Sequence, residues 1–177
     1  PSSAAVADGN DGADEDGNAM RALTDYVALD CEMVGVGEDA VESALARVAI
    51  VNAKGDVLMD EYVRPVERVT DFRTQFSGIL PVHIKHARSF ADVQADVAKI
   101  LKNRIVVGHS LDNDFEALKL QHPFALRRDT ATYRPLQRKP GKPHSLRYLT
   151  KQQLGTDIQG AEHDPVEDAR AAFLVYY

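Results

Sequence analysis

Two carboxylates interrupt an apolar run near the start of the chain, and their spacing is the first chemical signal in the sequence. Asp30 and Glu32 lie within Tyr-Val-Ala-Leu-Asp-Cys-Glu-Met, residues 26–33. In a β-strand this spacing places both side chains on one face, with α-carbons about 6.6 Å apart. Because burial of an unpaired carboxylate is costly, the pair indicates a cation or a set of donors nearby. Taken alone, the pair also fits an edge strand whose polar face meets solvent.

A second acidic site follows a later apolar strand. The strand passes through Val-Gly-His, residues 107–109, and two aspartates stand in the helix that comes next. Asp114 shares a helical face with Leu111 and Phe115, so we expect it to point toward the sheet. Asp112 is turned away from that face, and we therefore select Asp114 as the site residue. An acid in the first turn of a helix, favoured by the helix dipole, is the alternative reading.

The third site is a helix start that carries an unusual pair. Its residues are His163, Asp164, Pro165, Val166, Glu167 and Asp168. Asp164 suits the N-cap, Pro165 the first helical position, and Glu167 follows the cap by three residues. His163 and Asp168 then occupy the two positions whose side chains meet across a helix start, where apolar residues are usual. An imidazole beside a carboxylate at these positions indicates chemistry, and a surface histidine beside a helix is the alternative.

Length and composition are those of one soluble globular domain. The chain has 177 residues, 44% of them hydrophobic and 27% charged. No apolar run approaches the roughly 18 residues that cross a membrane, so we expect no membrane partner. We see no secretory signal, and a single cysteine excludes a disulfide framework. An intracellular, reducing compartment fits these features.

The negative charge is concentrated at the N-terminus. Residues 1–23 are rich in Ala, Gly, Asp and Ser and lack hydrophobic periodicity, so we predict a disordered acidic tail and a folded domain over 24–177. The formal net charge is −6, but five acidic residues fall in the first twenty positions. Residues 127–151 hold eight Lys or Arg and the single acidic Asp129. We expect this basic segment to face a polyanionic substrate.

Periodicity predicts an α/β fold with a mixed sheet. The predicted strands are residues 26–33, 44–51, 57–63 and 105–108, and the predicted helices are 90–101, 110–120 and a last one from residue 164. The first three strands form antiparallel neighbours, since a short turn and a hairpin loop separate them. Residues 70–81 read as loop or short helix.

The ordered set of motifs resembles a known family. Asp-x-Glu on a strand, an Asp on a later helix and His-x4-Asp at a last helix are similar to the DEDDh exonucleases of the proofreading-exonuclease superfamily. Within it, residues 29–37, 45–52, 70–74, 107–109 and 166–171 resemble the branch of RNA exonuclease 4 and the related interferon-stimulated exonuclease. The resemblance implies an RNase H-like, mixed five-stranded sheet flanked by helices, which forms a DEDDh exonuclease domain over residues 24–177.

The resemblance also implies a reaction and its site. It implies 3′-to-5′ hydrolysis of RNA or single-stranded DNA, with nucleoside monophosphates as product, and a monomer placed in the nucleus or nucleolus and acting in ribosomal-RNA processing. The metal ligands that match the family's motifs are Asp30, Glu32, Asp114 and Asp168. Oxygen ligands suit two divalent cations, Mg²⁺ or Mn²⁺. His163 is then the candidate general base on the attacking water.

Two further residues are predicted to hold the terminal nucleotide. These are Met33, which follows the paired acids, and Arg73, in a polar loop. Arg73 as a solvated surface residue is the alternative. We expect Cys31 to fill the core on the opposite face. Two other functions fit the same fold: an exonuclease that acts mainly on DNA, and a catalytically silent module that binds nucleic acid.

Overall fold

A computed structural model describes residues 23–160 and 162–177 of the chain. The predicted acidic tail, residues 1–23, lies almost wholly outside the described residues. The strands are β1 (Tyr26–Val36), β2 (Glu42–Asn52), β3 (Val57–Arg64), β4 (Val69–Asp71), β5 (Arg88–Ser89), β6 (Ile105–Gly108), β7 (Arg127–Asp129), β8 (Gln137–Lys139) and β9 (Lys142–Pro143). The α-helices are α1 (Thr74–Ser77), α2 (Pro81–Lys85), α3 (Phe90–Leu101), α4 (Leu111–Ala117), α5 (Leu146–Leu154) and α6 (Pro165–Tyr176).

Seven strands form one mixed sheet, which confirms the predicted fold class. The order is β5-β3-β2-β1-β6-β7, and β4 pairs with the end of β1. The first three strands are antiparallel, whereas β6 runs parallel to β1 and β7 parallel to β6. The sheet has more strands than the five predicted. The additional β4 and β5 are three and two residues long, too short for a periodic pattern to reveal.

Helices cover both faces of the sheet. On one face, Val93 and Val97 of α3 and Phe115 of α4 pack in the main apolar cluster with Leu29 of β1. On the other face, Ala169 of α6 packs against buried residues of β1, β2 and β6, including Ala28. Because side chains alternate along a strand, Asp30 and Glu32 share the face of Ala28 and lie on the side of α6.

One edge of the central strand is open over its middle. On the side away from β2, β6 pairs with residues 26–28 of β1 and β4 pairs with residues 35 and 36. Residues 29–34 therefore have no strand partner on that side within the described part of the chain. Gly108, the last residue of β6, lies close to β1: a Cβ at this position would be 3.0 Å from the carbonyl oxygen of Leu29. The chain then turns close beside β1 into α4.

The segment 70–81 agrees in part with the expected loop or short helix, since it contains the end of β4, all of α1 and the start of α2. Strand β1 continues to Val36, beyond the predicted end at residue 33, with a register shift after Glu32. Among the described residues, no helix combines the length and the apolar character needed to cross a membrane.

Candidate active site

The paired acids lie at the open edge of β1 and are largely removed from solvent. Glu32 is buried and Asp30 is half-buried. The pKa of Glu32 is raised from its usual 4.5 to about 8, mainly by burial and also by the nearby charge of Asp168, while Arg47 opposes the rise. The pKa of Asp30 is raised well above its usual value, first by burial and then by the charge of Asp114. Like-charged groups in a desolvated site are typical of a cation site.

The structure separates the two aspartates of α4. Asp114 is 4% exposed and lies beside β1, whereas Asp112 is exposed and its carboxylate bonds the Arg127 guanidinium at 2.9 Å. The start of α4 is fixed by Asp129, whose side chain accepts hydrogen bonds from the backbone N–H groups of residues 110 and 111, at 2.8 and 3.0 Å. This contact holds the helix in the orientation that directs Asp114 at the sheet.

Cys31 touches the site, although the sequence predicted only core filling. The residue is buried in the apolar cluster with Leu29. Burial raises the pKa of Asp114, and interactions with the thiol and the backbone of Cys31 oppose the rise. The alternation of side chains correctly placed Cys31 opposite Asp30. It could not show that Asp114 reaches the backbone and the sulfur from that side.

The start of α6 has the predicted cap. The Asp164 side chain accepts hydrogen bonds from the backbone N–H groups of Val166 at 2.9 Å and Glu167 at 3.0 Å. The Glu167 carboxylate does not return to the cap residue in the described hydrogen bonds. It accepts instead from the backbone N–H of Gln159 at 3.2 Å and so ties down the preceding loop.

His163 meets Asp168 across this helix start. Its Nδ1 lies 3.5 Å from Asp168 Oδ2, and its side chain is 42% exposed while that of Asp168 is 3% exposed. The backbone N–H of His163 donates to the carbonyl of Phe76 in α1 at 2.9 Å, which fixes the residue from a second direction. Ligand atoms of Glu32, His163 and Asp168 lie within 4.8 Å of one another.

Within the described residues, one side-chain oxygen of Asp168 has no hydrogen-bond partner. Its Oδ2 accepts a hydrogen bond from Gln159 Nε2 at 2.8 Å, whereas its Oδ1 is buried without a hydrogen bond. Burial raises the pKa of Asp168 to about 6, and Gln159 and His163 each oppose the rise. A buried carboxylate oxygen without a donor is costly for the protein alone. The site therefore fits a bound cation at this position.

The predicted metal ligands form two neighbouring groups. Glu32 and Asp168 belong to the 4.8 Å cluster with the histidine. Asp30 and Asp114 lie outside that cluster but interact strongly with each other, and Asp168 and Glu32 also raise the pKa of Asp30. The four carboxylates thus share one electrostatic site at the open edge of β1. Their oxygen-rich donor set is the kind that hard divalent cations prefer.

Arg47 is a neighbour of the site that motif reasoning did not select. It pairs with Glu32 across β1 and β2. Its guanidinium makes two bonds to Asp60, at 2.8 and 2.9 Å, and a longer one to Asp164 at 3.4 Å. It therefore links the sheet to the start of α6. The signal was available, because a charged residue inside an apolar strand is as unusual as the paired acids.

Met33 and Arg73 line the same cavity, which has a volume of about 690 Å³ and also includes Phe90 and Asn113. Arg73 is already engaged. Its guanidinium donates to Ser43 Oγ at 2.9 Å and to the Ala40 carbonyl at 3.0 Å, so it anchors the turn before β2. Both residues remain predicted contacts of the terminal nucleotide.

The raised carboxyl pKa values predict that the metal-free protein loses stability as pH rises. Between its usual value of 4.5 and its folded value of about 8, Glu32 binds more protons in the folded state than in the unfolded state. Its contribution is therefore fully present below pH 4.5 and lost as pH rises through 8. We expect the free energy of unfolding to fall by roughly a few kcal/mol across this range. Urea denaturation in the presence of a chelator measures it.

Glu32→Gln is the matched variant for this measurement, because the amide keeps the size of the side chain and cannot ionise. Its stability should decline less between pH 5 and pH 8.5 than that of the unaltered protein. Added Mn²⁺ should restore the stability of the unaltered protein at high pH, since binding favours the folded, ionised form. A chelated protein whose stability rises over this range would contradict the electrostatic description of the site.

A family model described as Exonuclease, RNase T, matches residues 27–176. RNA exonuclease 4 of Saccharomyces cerevisiae is 48% identical over 161 residues, which cover 90% of this chain and 56% of that protein. RNA exonuclease 4 of Xenopus tropicalis is 51% identical over 160 residues, which cover 89% of this chain and 38% of that protein. The chain thus spans about half or less of the length of these relatives.

Solved structures of nuclease domains are also similar to this chain. The Saccharomyces cerevisiae Pan2 pseudoubiquitin hydrolase–RNA exonuclease module, in complex with AAGGA RNA, is similar with a TM-score of 0.74 and 33% identity, over 85% of this chain and 28% of that chain. The Neurospora crassa Pan2 catalytic unit, which contains a protease and a nuclease domain, is similar with a TM-score of 0.75 and 27% identity, over 85% of this chain and 26% of that chain. Since the family model covers most of the chain, this protein belongs to the exonuclease (RNase T) family.

Proposed function

We propose that the chain is a metal-dependent exonuclease domain that removes nucleoside monophosphates from the 3′ end of RNA. The observation that carries the proposal is the group of four carboxylates at the open edge of β1, with an exposed histidine 3.5 Å from the last of them. The relatives named RNA exonuclease 4 and the RNA-bound Pan2 module support RNA as the substrate class.

The donor set decides which cofactor the site would take. The carboxylates of Asp30, Glu32, Asp114 and Asp168 would hold two divalent cations, Mg²⁺ or Mn²⁺, because oxygen ligands suit these hard ions. The unpartnered, buried Oδ1 of Asp168 supports a ligand role for that residue. When bound, the cations supply charge neutralisation at the scissile phosphate and lower the pKa of water.

The reaction adds water across one phosphodiester bond. The water oxygen bonds to phosphorus, the bond from phosphorus to the O3′ of the penultimate nucleotide breaks, and O3′ takes up a proton. The products are a nucleoside 5′-monophosphate and a chain with a new 3′-hydroxyl. His163 would accept the proton of the attacking water, since it is the exposed imidazole of the cluster. Asp168 and the Phe76 carbonyl hold it in place from two sides.

The position of His163 also fits turnover. Its side chain is 42% exposed, so a proton taken from the attacking water can pass to solvent after each cycle. Asp168 is buried, and its Oδ2 lies 3.5 Å from the Nδ1 of the imidazole, so it orients the ring. The chain thus supplies both a proton acceptor and a stabilising partner at the place where the carboxylates converge.

The direct test is hydrolysis of matched RNA and DNA strands labelled at the 5′ end. A ladder that shortens one nucleotide at a time, only when Mg²⁺ or Mn²⁺ is present, is the expected result for RNA. Accumulation of labelled fragments from random positions would contradict an exonuclease. Faster trimming of the DNA strand would favour the DNA-directed alternative, and binding without any hydrolysis would favour the silent module.

The basic segment predicts a separate contribution to substrate binding. Arg138, Lys139 and Lys142 are exposed on the hairpin formed by β8 and β9. Replacing all three by glutamine should raise KM for long RNA and reduce its dependence on salt, because fewer phosphate contacts release fewer counterions. The slope of log KM against log salt concentration is the measurement. Arg88, on β5 and engaged with Asp96 at 2.7 Å, provides the control site. An unchanged slope in the triple variant would show that these three charges do not contribute to RNA binding.

The cellular setting stays a prediction. The resemblance implies the nucleus or nucleolus and a ribosomal-RNA precursor as substrate, and it implies a monomer. Imaging of the tagged protein in its own cells and light scattering of the purified chain address location and oligomeric state. A cytoplasmic signal would argue against ribosomal-RNA processing.

A further inference from the structure

A glutamine outside the predicted motifs touches the most buried carboxylate of the site. Gln159 lies in the loop before α6, and its backbone has the left-handed φ of 54°. A residue other than glycine seldom adopts this conformation unless its surroundings hold it there. Two contacts do so: its backbone N–H donates to Glu167 at 3.2 Å, and its side chain Nε2 donates to Asp168 Oδ2 at 2.8 Å.

The two oxygens of Asp168 have different surroundings. Oδ2 accepts from Gln159 at 2.8 Å and lies 3.5 Å from His163 Nδ1, whereas Oδ1 is buried and has no hydrogen bond to any part of the chain that the structure describes. The glutamine amide is thus the nearer of the two partners of Oδ2. A carboxylate held at one oxygen has its rotation fixed, so its other oxygen keeps a constant direction.

We infer that Gln159 is a positioning residue, which holds Asp168 by Oδ2 and thereby directs Oδ1 to a divalent cation. The inference rests on the proposed function, since it assigns Asp168 as a metal ligand. Gln159 does not touch the substrate or the metal in this role. Residues that hydrogen-bond a metal ligand fix its orientation, and their loss weakens metal affinity or activity by about 10–100-fold.

The same bond has a second effect on His163. Without the amide, Oδ2 would have His163 as its remaining side-chain partner among the described contacts. Asp168 could then rotate toward the imidazole and bind it more closely. The amide therefore lets the two oxygens of Asp168 act separately. Oδ1 binds the cation, while Oδ2 stays at the longer distance of 3.5 Å from His163 Nδ1.

The test is Mn²⁺ binding by the chain without RNA. Gln159→Leu removes the amide and keeps a side chain of similar size, and its affinity for Mn²⁺, measured by calorimetry, should fall by about 10–100-fold. In RNA hydrolysis, the kcat of this variant should be low at limiting Mn²⁺ and recover at saturating Mn²⁺. A merely structural defect would lower activity at every Mn²⁺ concentration.

Three further variants make the result interpretable. Gln152→Leu changes an exposed glutamine of α5 and should leave Mn²⁺ affinity unchanged. Glu167→Ala removes the contact to the backbone of Gln159 and leaves the bond to Asp168. It therefore separates the effect of loop placement on Mn²⁺ affinity from the effect of the side-chain amide. Gln159→Asn, which is one methylene shorter, should behave as Gln159→Leu and replaces it if the leucine variant unfolds.

The outcomes are distinct from those for the proposed function. Weaker Mn²⁺ binding in Gln159→Leu and Gln159→Asn, with Glu167→Ala near the unaltered protein, supports the inference. Unchanged Mn²⁺ affinity in the Gln159 variants overturns it, and so does an equal loss in Glu167→Ala. If the unaltered chain binds Mn²⁺ but does not trim RNA, the proposed function fails while the role of Gln159 is still decided by calorimetry.

Discussion

Asp114→Ala should lower kcat for RNA hydrolysis by more than about 10³-fold, because the variant loses one of the four buried carboxylates proposed to hold the catalytic cations. The fold should survive, since burial and neighbouring acids raise the pKa of this group and so make its ionised form unfavourable in the metal-free protein. We expect the thermal midpoint of the chelated variant at pH 8 to equal or exceed that of the unaltered protein. Steady-state trimming and calorimetric unfolding measure the two effects.

Asp112→Ala is the matched control, two residues earlier on the same helix. Its carboxylate is exposed and bonds Arg127 at 2.9 Å, and a surface ion pair contributes at most about 1 kcal/mol. The control should trim RNA at nearly the normal rate. If Asp112→Ala is inactive and Asp114→Ala active, the assignment of the catalytic face of α4 is wrong.

His163→Asn should lower kcat by about 10²–10⁴-fold, the usual contribution of a general base. Affinity for Mn²⁺ should stay nearly unchanged, because the four carboxylates proposed as ligands would suffice for two cations. A histidine that instead ligates the metal, as its place in the 4.8 Å cluster permits, would weaken Mn²⁺ binding when replaced. Calorimetry and kcat measured on the same preparations therefore separate the two roles.

The pH–rate profile is the second measurement on this variant. The profile of the unaltered enzyme should contain a limb that depends on the imidazole as proton acceptor. That limb should be absent in His163→Asn. A variant that keeps the same limb would assign the titrating group elsewhere in the site and leave His163 as a residue of the helix start.

Local periodic rules explain why the sequence indicated which acidic side chains come together in the structure. A strand repeats every two residues, so Asp30 and Glu32 had to share a face. A helix repeats every 3.6 residues, so Asp114 rather than Asp112 had to face the sheet. The cap formed by Asp164 fixed the register in which His163 precedes the helix. Each of these inferences needed only neighbours within about five positions.

Other features depend on contacts that local rules do not describe. Gln159 approaches Asp168 from a loop in a left-handed conformation, which polar loop composition does not specify. The effect of Cys31 on the pKa of Asp114 joins residues more than eighty positions apart. Strands β4 and β5 exist because the ends of β1 and β3 provide partners for very short segments. The tertiary fold, rather than propensity, decides such elements.

The open edge of β1 has a consequence for self-association. Within the described residues, positions 29–34 have no strand partner on one side, in the middle of the sheet. Such an edge is a template on which a strand of another molecule can pair. Leu29, Glu32 and Val34 are nonetheless buried, and α4 packs beside the strand. A substitution that detaches α4 from β1 would therefore uncover this edge and favour aggregation.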